Sequence, residues 1–244
     1  MHTLALLHEQ LLRALVPYRT KKKVLTKQKV RLPPDERRRH LVDEALSFFA
    51  EHGFEANTRV LAQRIGVTQP LLFRYFSTKE KLIDAVVDLA YSRLVRRDWL
   101  SMIRQSEGDL RTRLINFCYA YARENYDFEW IRLYMFAGLA GGELNRRYIK
   151  RVSEPVLRAI ALEIRAHLRF STNEKSLTKE EIEYLWIFHG GLYYRAIRHH
   201  IYRLPDDAKA LASLVEITVD AMISGYAQVL KRQTAKRSTK RLAA

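Results

Sequence analysis

Between Asn57 and Lys79 the chain concentrates side chains that hydrogen-bond outward and do not break bonds. Thr58, Arg59, Thr68, Gln69, Arg74, Tyr75 and Lys79 all fall in this stretch. Arginine and glutamine carry their hydrogen-bonding groups in fixed planar arrays, which suits recognition of flat partners. The chemistry of catalysis is not arranged anywhere. No Ser/His/Asp set, phosphate-cradling glycine loop or paired carboxylate stands out, so the chain is expected not to be an enzyme and to need no cofactor. His199 and His200 are neighbours on one helix and point about 100° apart, so they do not readily share an ion as an i, i+4 pair would. The single Cys118 excludes an internal disulfide and a cysteine-based zinc cluster. No metal site is expected.

Two short helices position the recognition residues. Asn57 or Thr58 caps the first, since a side-chain oxygen there accepts a free first-turn amide. Val60, Leu61 and Ile65 share a face that suits packing. Gly66 sits at the C′ position, where the chain turns left-handed and a Cβ would clash. Thr68 caps a second helix, and Pro70 lies in its first turn, where no amide donor is needed. Leu72, Phe73 and Phe76 anchor that helix from one side, which leaves Gln69, Arg74 and Tyr75 on the other. Helix, glycine turn and short helix form the helix-turn-helix plan, whose second helix enters the DNA major groove.

The string GVTQPLLFRYFSTKEKL, from Gly66 to Leu82, resembles the recognition segment of the tetracycline-repressor (TetR) family of bacterial transcription regulators. The resemblance covers about residues 36 to 90. It implies an all-α protein with a three-helix, homeodomain-like head and a C-terminal helical body for ligand binding and dimerisation. Position by position, it assigns Thr58 to phosphate and Arg59 to a base. Arginine suits guanine, where a bidentate pair is worth about 1–3 kcal/mol of discrimination. Gln69 matches the main base-reading position and suits adenine. Pro70 and Leu71 offer apolar contact to a thymine methyl. Thr68, Phe73, Tyr75 and Lys79 match backbone-contacting positions, with Phe73 in place of the usual tyrosine and so confined to packing. Arg74 serves base or phosphate.

The rest of the chain divides by charge and texture. The net charge of +16 gathers at the ends: residues 1–34 hold eight Lys/Arg against one Glu, and residues 231–244 hold six against none. Leu4, Leu7, Leu11 and Leu15 space a short amphipathic helix that Pro17 ends. Residues 19–31 are too charged to fold alone and read as a flexible arm that meets DNA phosphate or the minor groove. The expected domains are a basic extension (1–34), the DNA-binding head (35–82), the effector and dimer body (83–231) and a basic, disordered tail (232–244). Pro34 and Asp35 mark the first helix, with Leu41, Val42, Ala45, Phe48 and Phe49 buried and Gly53 at its end. A long helix over 79–103 joins head to body. Further helices are expected at 109–124, 128–139, 143–169, 178–201 and 207–231.

Dense aromatics in the body suggest a core that leaves a cavity. By the resemblance the body binds a small effector, in a pocket lined by Trp130, Tyr134, Trp186, His189 and Tyr193. The last two helices form the homodimer through Leu185, Leu192, Leu214, Thr218, Met222, Gly225 and Tyr226. The dimer grips an inverted-repeat operator in double-stranded DNA and, as a repressor, is released by effector. No apolar run approaches the 18 or so residues of a bilayer span, and the N-terminus lacks a secretory pattern, so a cytoplasmic location without membrane contact is expected. The rival reading is a non-specific architectural nucleic-acid binder that uses the basic ends and needs no effector.

Overall fold

The computed structural model describes residues 33–95, 98–105, 107–124 and 126–242. The expected N-terminal helix through Leu15 and the arm at 19–31 lie outside the described residues. Helix α1, Pro34–His52, starts on a proline with Asp35 and Glu36 in its first turn, where the helix dipole favours acid. Leu41, Val42, Ala45, Leu46, Phe48 and Phe49 recur at helical spacing and are all buried. Each such large side chain contributes roughly 1.5–3 kcal/mol through the surface it removes from water. Gly53 ends the helix at φ +82°, a left-handed conformation that glycine adopts at little cost.

Helix α2, Thr58–Ile65, is capped by Asn57, whose side chain accepts the Arg59 amide at 2.8 Å. It closes on Gly66 at φ +78°, whose N–H reaches the carbonyls of Ala62 and Gln63. Helix α3, Gln69–Tyr75, starts at Thr68, whose hydroxyl accepts the Leu71 amide. Leu61, Leu72 and Phe76 plug the head core, each no more than 2% exposed. Val60 departs from the expectation: it is 52% exposed, because Leu61 and Ala62 are the residues of α2 that turn inward.

Helix α4, Lys79–Val95, buries Leu82, Val86, Ala90 and Leu94, one residue per turn. The expected long connector is not continuous. A short α5, Trp99–Arg104, begins anew with Asp98 accepting the Ser101 amide. Asp98 thus caps a fresh start inside what periodicity read as one helix. The body continues with α6, Leu110–Glu124; α7, Phe128–Leu139; and α8, Glu143–Tyr148. A single π-helical turn, Ile149–Ser153, leads into α9, Glu154–His167. The expected helix over 143–169 is therefore one run with a defect. Pro155 explains it, since its nitrogen cannot donate to the carbonyl four residues back and its ring crowds that carbonyl.

Helix α10, Lys179–His200, opens with a capping box between Thr178 and Glu181. Helix α11 runs Ala208–Leu242. It continues in helical form through the expected disordered tail, since no glycine or proline interrupts it. It also corrects the expectation about apolar runs. Residues Ala210–Ala235 are long and apolar enough to cross a membrane by length and composition. Yet Leu211, Val215, Val219, Met222, Tyr226 and Leu230 form a buried stripe, while Glu216 and Asp220 pair with Arg111 of α6. That pattern belongs to a bundle helix with one polar face. No strand occurs among the described residues.

A buried polar knot joins α9, α10 and α11. The Arg165 guanidinium donates two hydrogen bonds to Glu181, at 2.7 and 2.8 Å. It also reaches the Ser171 and Ser176 carbonyls and the Ser176 hydroxyl. The Tyr226 hydroxyl donates to Glu181 at 2.6 Å. Burial acts to raise the Glu181 carboxyl, but Arg165, Tyr226 and Thr178 outweigh it and hold it below its ordinary value.

Candidate nucleic-acid interface

The head presents α3 outward on a scaffold of α1 and α2. Arg64 of α2 makes a bidentate pair with Glu51 of α1, at 2.6 and 2.7 Å, which fixes the crossing of the two helices. Arg38 of α1 lies 5.0 Å over the Phe76 ring at the end of α3. The short helix is thus held at both ends while Thr68, Pro70 and Arg74 stay exposed.

Most of the expected DNA-contacting residues share this surface. Arg59 is exposed at the start of α2, and Gln69, Leu71, Phe73, Tyr75 and Lys79 are half-buried. Gln69 is not loose. Its side-chain amide donates to the Thr58 hydroxyl at 2.9 Å. That bond uses one donor of the amide and leaves its oxygen and second N–H for a base edge. Thr58, expected at phosphate, is 7% exposed, and its hydroxyl lies beneath Gln69. Arg74 lies 5.9 Å from the Tyr75 ring centre, which steadies a long side chain on the exposed side of α3. Lys79 opens α4, where first-turn amides and its own charge converge. Sequence reading missed the run Arg37, Arg38 and Arg39 on α1, which adds positive charge beside α3. Three consecutive arginines were the available signal.

The body's expected sites fare differently. Trp130, Tyr134 and Tyr193 lie ring to ring with Tyr148 and Tyr126, with centroids 4.9–5.8 Å apart. Trp186 packs on His189 at 4.9 Å. These five residues are brought together in one aromatic cluster, packed ring against ring. His189 alone among them borders an apolar void, of about 30 Å³, about the share of one water molecule in the liquid. Its Nε2 meets the Tyr126 and Tyr121 hydroxyls at 2.9 and 3.3 Å, and burial lowers its pKa to about 4. The Trp130 indole N–H and the Ser153 hydroxyl are buried nearby without protein partners.

The expected dimer residues split in two. Leu185, Met222 and Tyr226 are at most 4% exposed within one protomer, and Tyr226 is committed to Glu181, so these three cannot form an intersubunit surface. Gly225 serves an intramolecular crossing. The Tyr184 ring stands where its Cβ would be, 2.0 Å from the hydroxyl oxygen, and that hydroxyl donates to the Met222 carbonyl. Leu192 and Thr218 border the small void. Leu214 is exposed and is joined by Ile187, Tyr194 and Ile217, each more than half exposed.

A capped glycine-turn helix pair that displays polar side chains, set on a helical bundle, defines a helix-turn-helix protein. The comparisons agree. A family model described as bacterial regulatory proteins, tetR family, matches residues 41–86. The HTH-type transcriptional activator FasR of Mycolicibacterium smegmatis is 39% identical over 66 residues, which cover 27% of this chain and 30% of that protein. The match thus spans under a third of the curated relative. A TetR-like transcriptional regulator from Rhodococcus sp. RHA1 superimposes with a TM-score of 0.56 at 18% identity, over 80% of this chain and 100% of that one. A tetR-family regulator from Streptomyces coelicolor gives 0.51 at 18% identity, over 85% and 100%. Residues 41–86, the helix-turn-helix head, are similar to the DNA-binding segment of the tetR family, and the whole chain shares its helical fold with solved regulators of that kind.

Proposed function

We propose that the protein is a sequence-specific, DNA-binding transcriptional regulator that acts as a homodimer on an inverted repeat. The observation that carries this is the geometry at α3: Gln69 braced by Thr58, with Arg59, Arg74 and Lys79 around it. Phosphate contacts set the register, and Gln69 and Arg59 read base edges. Residues 35–82 form the head and 83–231 the body. The body's exposed apolar face at Ile187, Tyr194, Leu214 and Ile217 makes the dimer, since apolar groups gathered on adjoining helices favour association over exposure. Two recognition helices then stand about 34–36 Å apart, one DNA turn, or somewhat further.

The body senses a small molecule that lowers DNA affinity, and the protein acts as a repressor. Such a molecule must bind the free and DNA-bound states unequally. The relative named above is an activator. The same head serves either sign, because the sign depends on where the operator lies relative to the promoter. A cytoplasmic location goes with this reading, as does the absence of catalysis.

The test is a pair of titrations at moderate salt, one with a duplex enriched by the protein from a random pool and one with random duplex. A specific regulator binds the first by about 10³-fold or more tighter. Equal affinities would mean the architectural reading instead.

A further inference from the structure

The cluster expected to hold an effector packs ring against ring. A different concavity is open. A cleft of about 240 Å³ lies where the ends of α6 and α10 meet the starts of α7 and α11. We propose that this cleft binds a small, neutral aromatic molecule carrying hydroxyl groups, of the phenol or catechol class, and that α7 transmits its arrival directly to the DNA-binding head. The proposal rests on the reading that the body senses a small molecule.

The ligand class follows from two histidines. His199 Nδ1 lies 3.1 Å from the Leu204 carbonyl oxygen, and His200 Nε2 lies 3.0 Å from the Tyr126 carbonyl oxygen. A carbonyl only accepts, so each of these nitrogens carries the proton. Whenever a ring is neutral, its opposite nitrogen, His199 Nε2 or His200 Nδ1, is a lone-pair acceptor. Burial lowers the His200 pKa first, and the neighbouring His199 lowers it further. Both residues line the cleft beside the rings of Tyr119, Tyr126 and Phe128. The charges in the lining balance, with Arg123 and Arg195 against Asp127 and Asp206, and Arg195 is bonded to Asp206. Acceptors set in aromatic walls with no net charge select a flat, uncharged donor of hydrogen bonds.

The route follows from α7. Phe128 forms part of the cleft wall, and its ring centre is 6.1 Å from that of His200. The Arg132 guanidinium lies over Phe128 at 5.5 Å and over Phe136 at 5.3 Å. Arg132 donates to the carbonyls of Ala50 and Glu51 at the end of α1. One turn earlier, Glu129 accepts from the Ser47 hydroxyl, and further along Phe136 packs on Phe54 and under Gly53. One side of α7 therefore meets α1 through Glu129 and Arg132 and the turn after α1 through Phe136, while Arg93 of α4 bridges Glu129 to Asp43 of α1. A ring seated on Phe128 sets the platform on which Arg132 rests, and with it the angle of the head.

The test uses the full-length protein with catechol as probe and veratrole, its dimethyl ether, as the donorless control. Histidine ring resonances report the site, and amide hydrogen exchange over residues 47–54 reports the head. Catechol should saturate, shift His199 and His200 but not His189, and change exchange at 47–54. Veratrole should bind about tenfold more weakly or worse, the cost of one unmade hydrogen bond. R132K should bind catechol as before yet lose the exchange response. Absence of saturable catechol binding, or equal binding of veratrole, overturns the proposal. Shifts centred on His189 and Trp130 instead also overturn it, while leaving the effector reading intact. Binding in the cleft with the exchange response but unchanged DNA affinity keeps the proposal and removes the effector reading.

Discussion

In the head, polar side chains serve their own helix ends: Asn57, Thr68 and Thr78 each accept an amide two or three residues on. The body has such caps too, but there buried polar side chains also meet across helices distant in sequence, as Arg165 meets Glu181 and Glu181 meets Tyr226. The head can therefore expose its functional groups on a surface fixed by short-range rules. The body holds its polar groups inside, where each must find a partner or cost stability. One consequence is that equal-looking charge pairs differ in weight between the two regions.

The largest effect should come from the knot. Arg165→Met leaves Glu181 buried without its cation and should cost about 3–5 kcal/mol in denaturant unfolding. Breaking the exposed Arg64–Glu51 pair of the head by Arg64→Met should cost about 1 kcal/mol or less. Equal losses would remove the distinction drawn between the two regions. Next come two classes of apolar change on α10 and α11. Leu185→Ala removes a buried side chain and should lower stability by about 2–5 kcal/mol. Ile187→Asp, on the exposed face, should leave the protomer folded and shift it to monomer in sedimentation. If Leu185→Ala alone disrupts the dimer, the face is wrongly drawn.

A pH series sharpens the contrast further. His189 has a folded pKa of about 4 against an ordinary 6.5, so the unfolded chain takes up its proton first as pH falls. Stability contributed by the neutral, buried ring is full above about pH 6.5 and declines toward pH 4, by about 3 kcal/mol in all. His189→Phe should flatten that window in thermal unfolding. Changes at the DNA surface act on binding and leave stability alone. Gln69→Ala should relax preference at one or two base pairs by about 1–3 kcal/mol, and Lys79→Ala should weaken all sequences alike and lower the salt slope by about 1. Anisotropy titrations across salt separate the two. Thr58→Val, which removes the brace under Gln69, should resemble Gln69→Ala in part.

The head was legible because its signals are local. Asn57, Gly66, Thr68 and Pro70 act on residues within a few positions of themselves, and the structure places them as caps and turns. The body's helices were legible for the same reason, apart from two breaks. Asp98 restarts a helix that periodicity read as continuous, and Pro155 forces a π turn that helical spacing alone does not reveal. The inward direction of Tyr226 and Met222 was not legible, since a stripe of large residues fits a subunit's own core as well as a partner. Nor was the Thr58–Gln69 bond, which depends on how α2 and α3 cross. The knot at Arg165 joins residues 16 and 45 positions apart through Glu181, and no periodic pattern reports such a contact.

The most direct test of the account is a hydroxyl-radical footprint of the intact protein on duplex DNA that it has itself enriched from a random pool. Two protected patches should appear on one face of the duplex, related by two-fold symmetry and centred about one helical turn or somewhat more apart, with both weakened by Gln69→Ala. A single unsymmetrical patch, or protection spread evenly along the DNA, would contradict it.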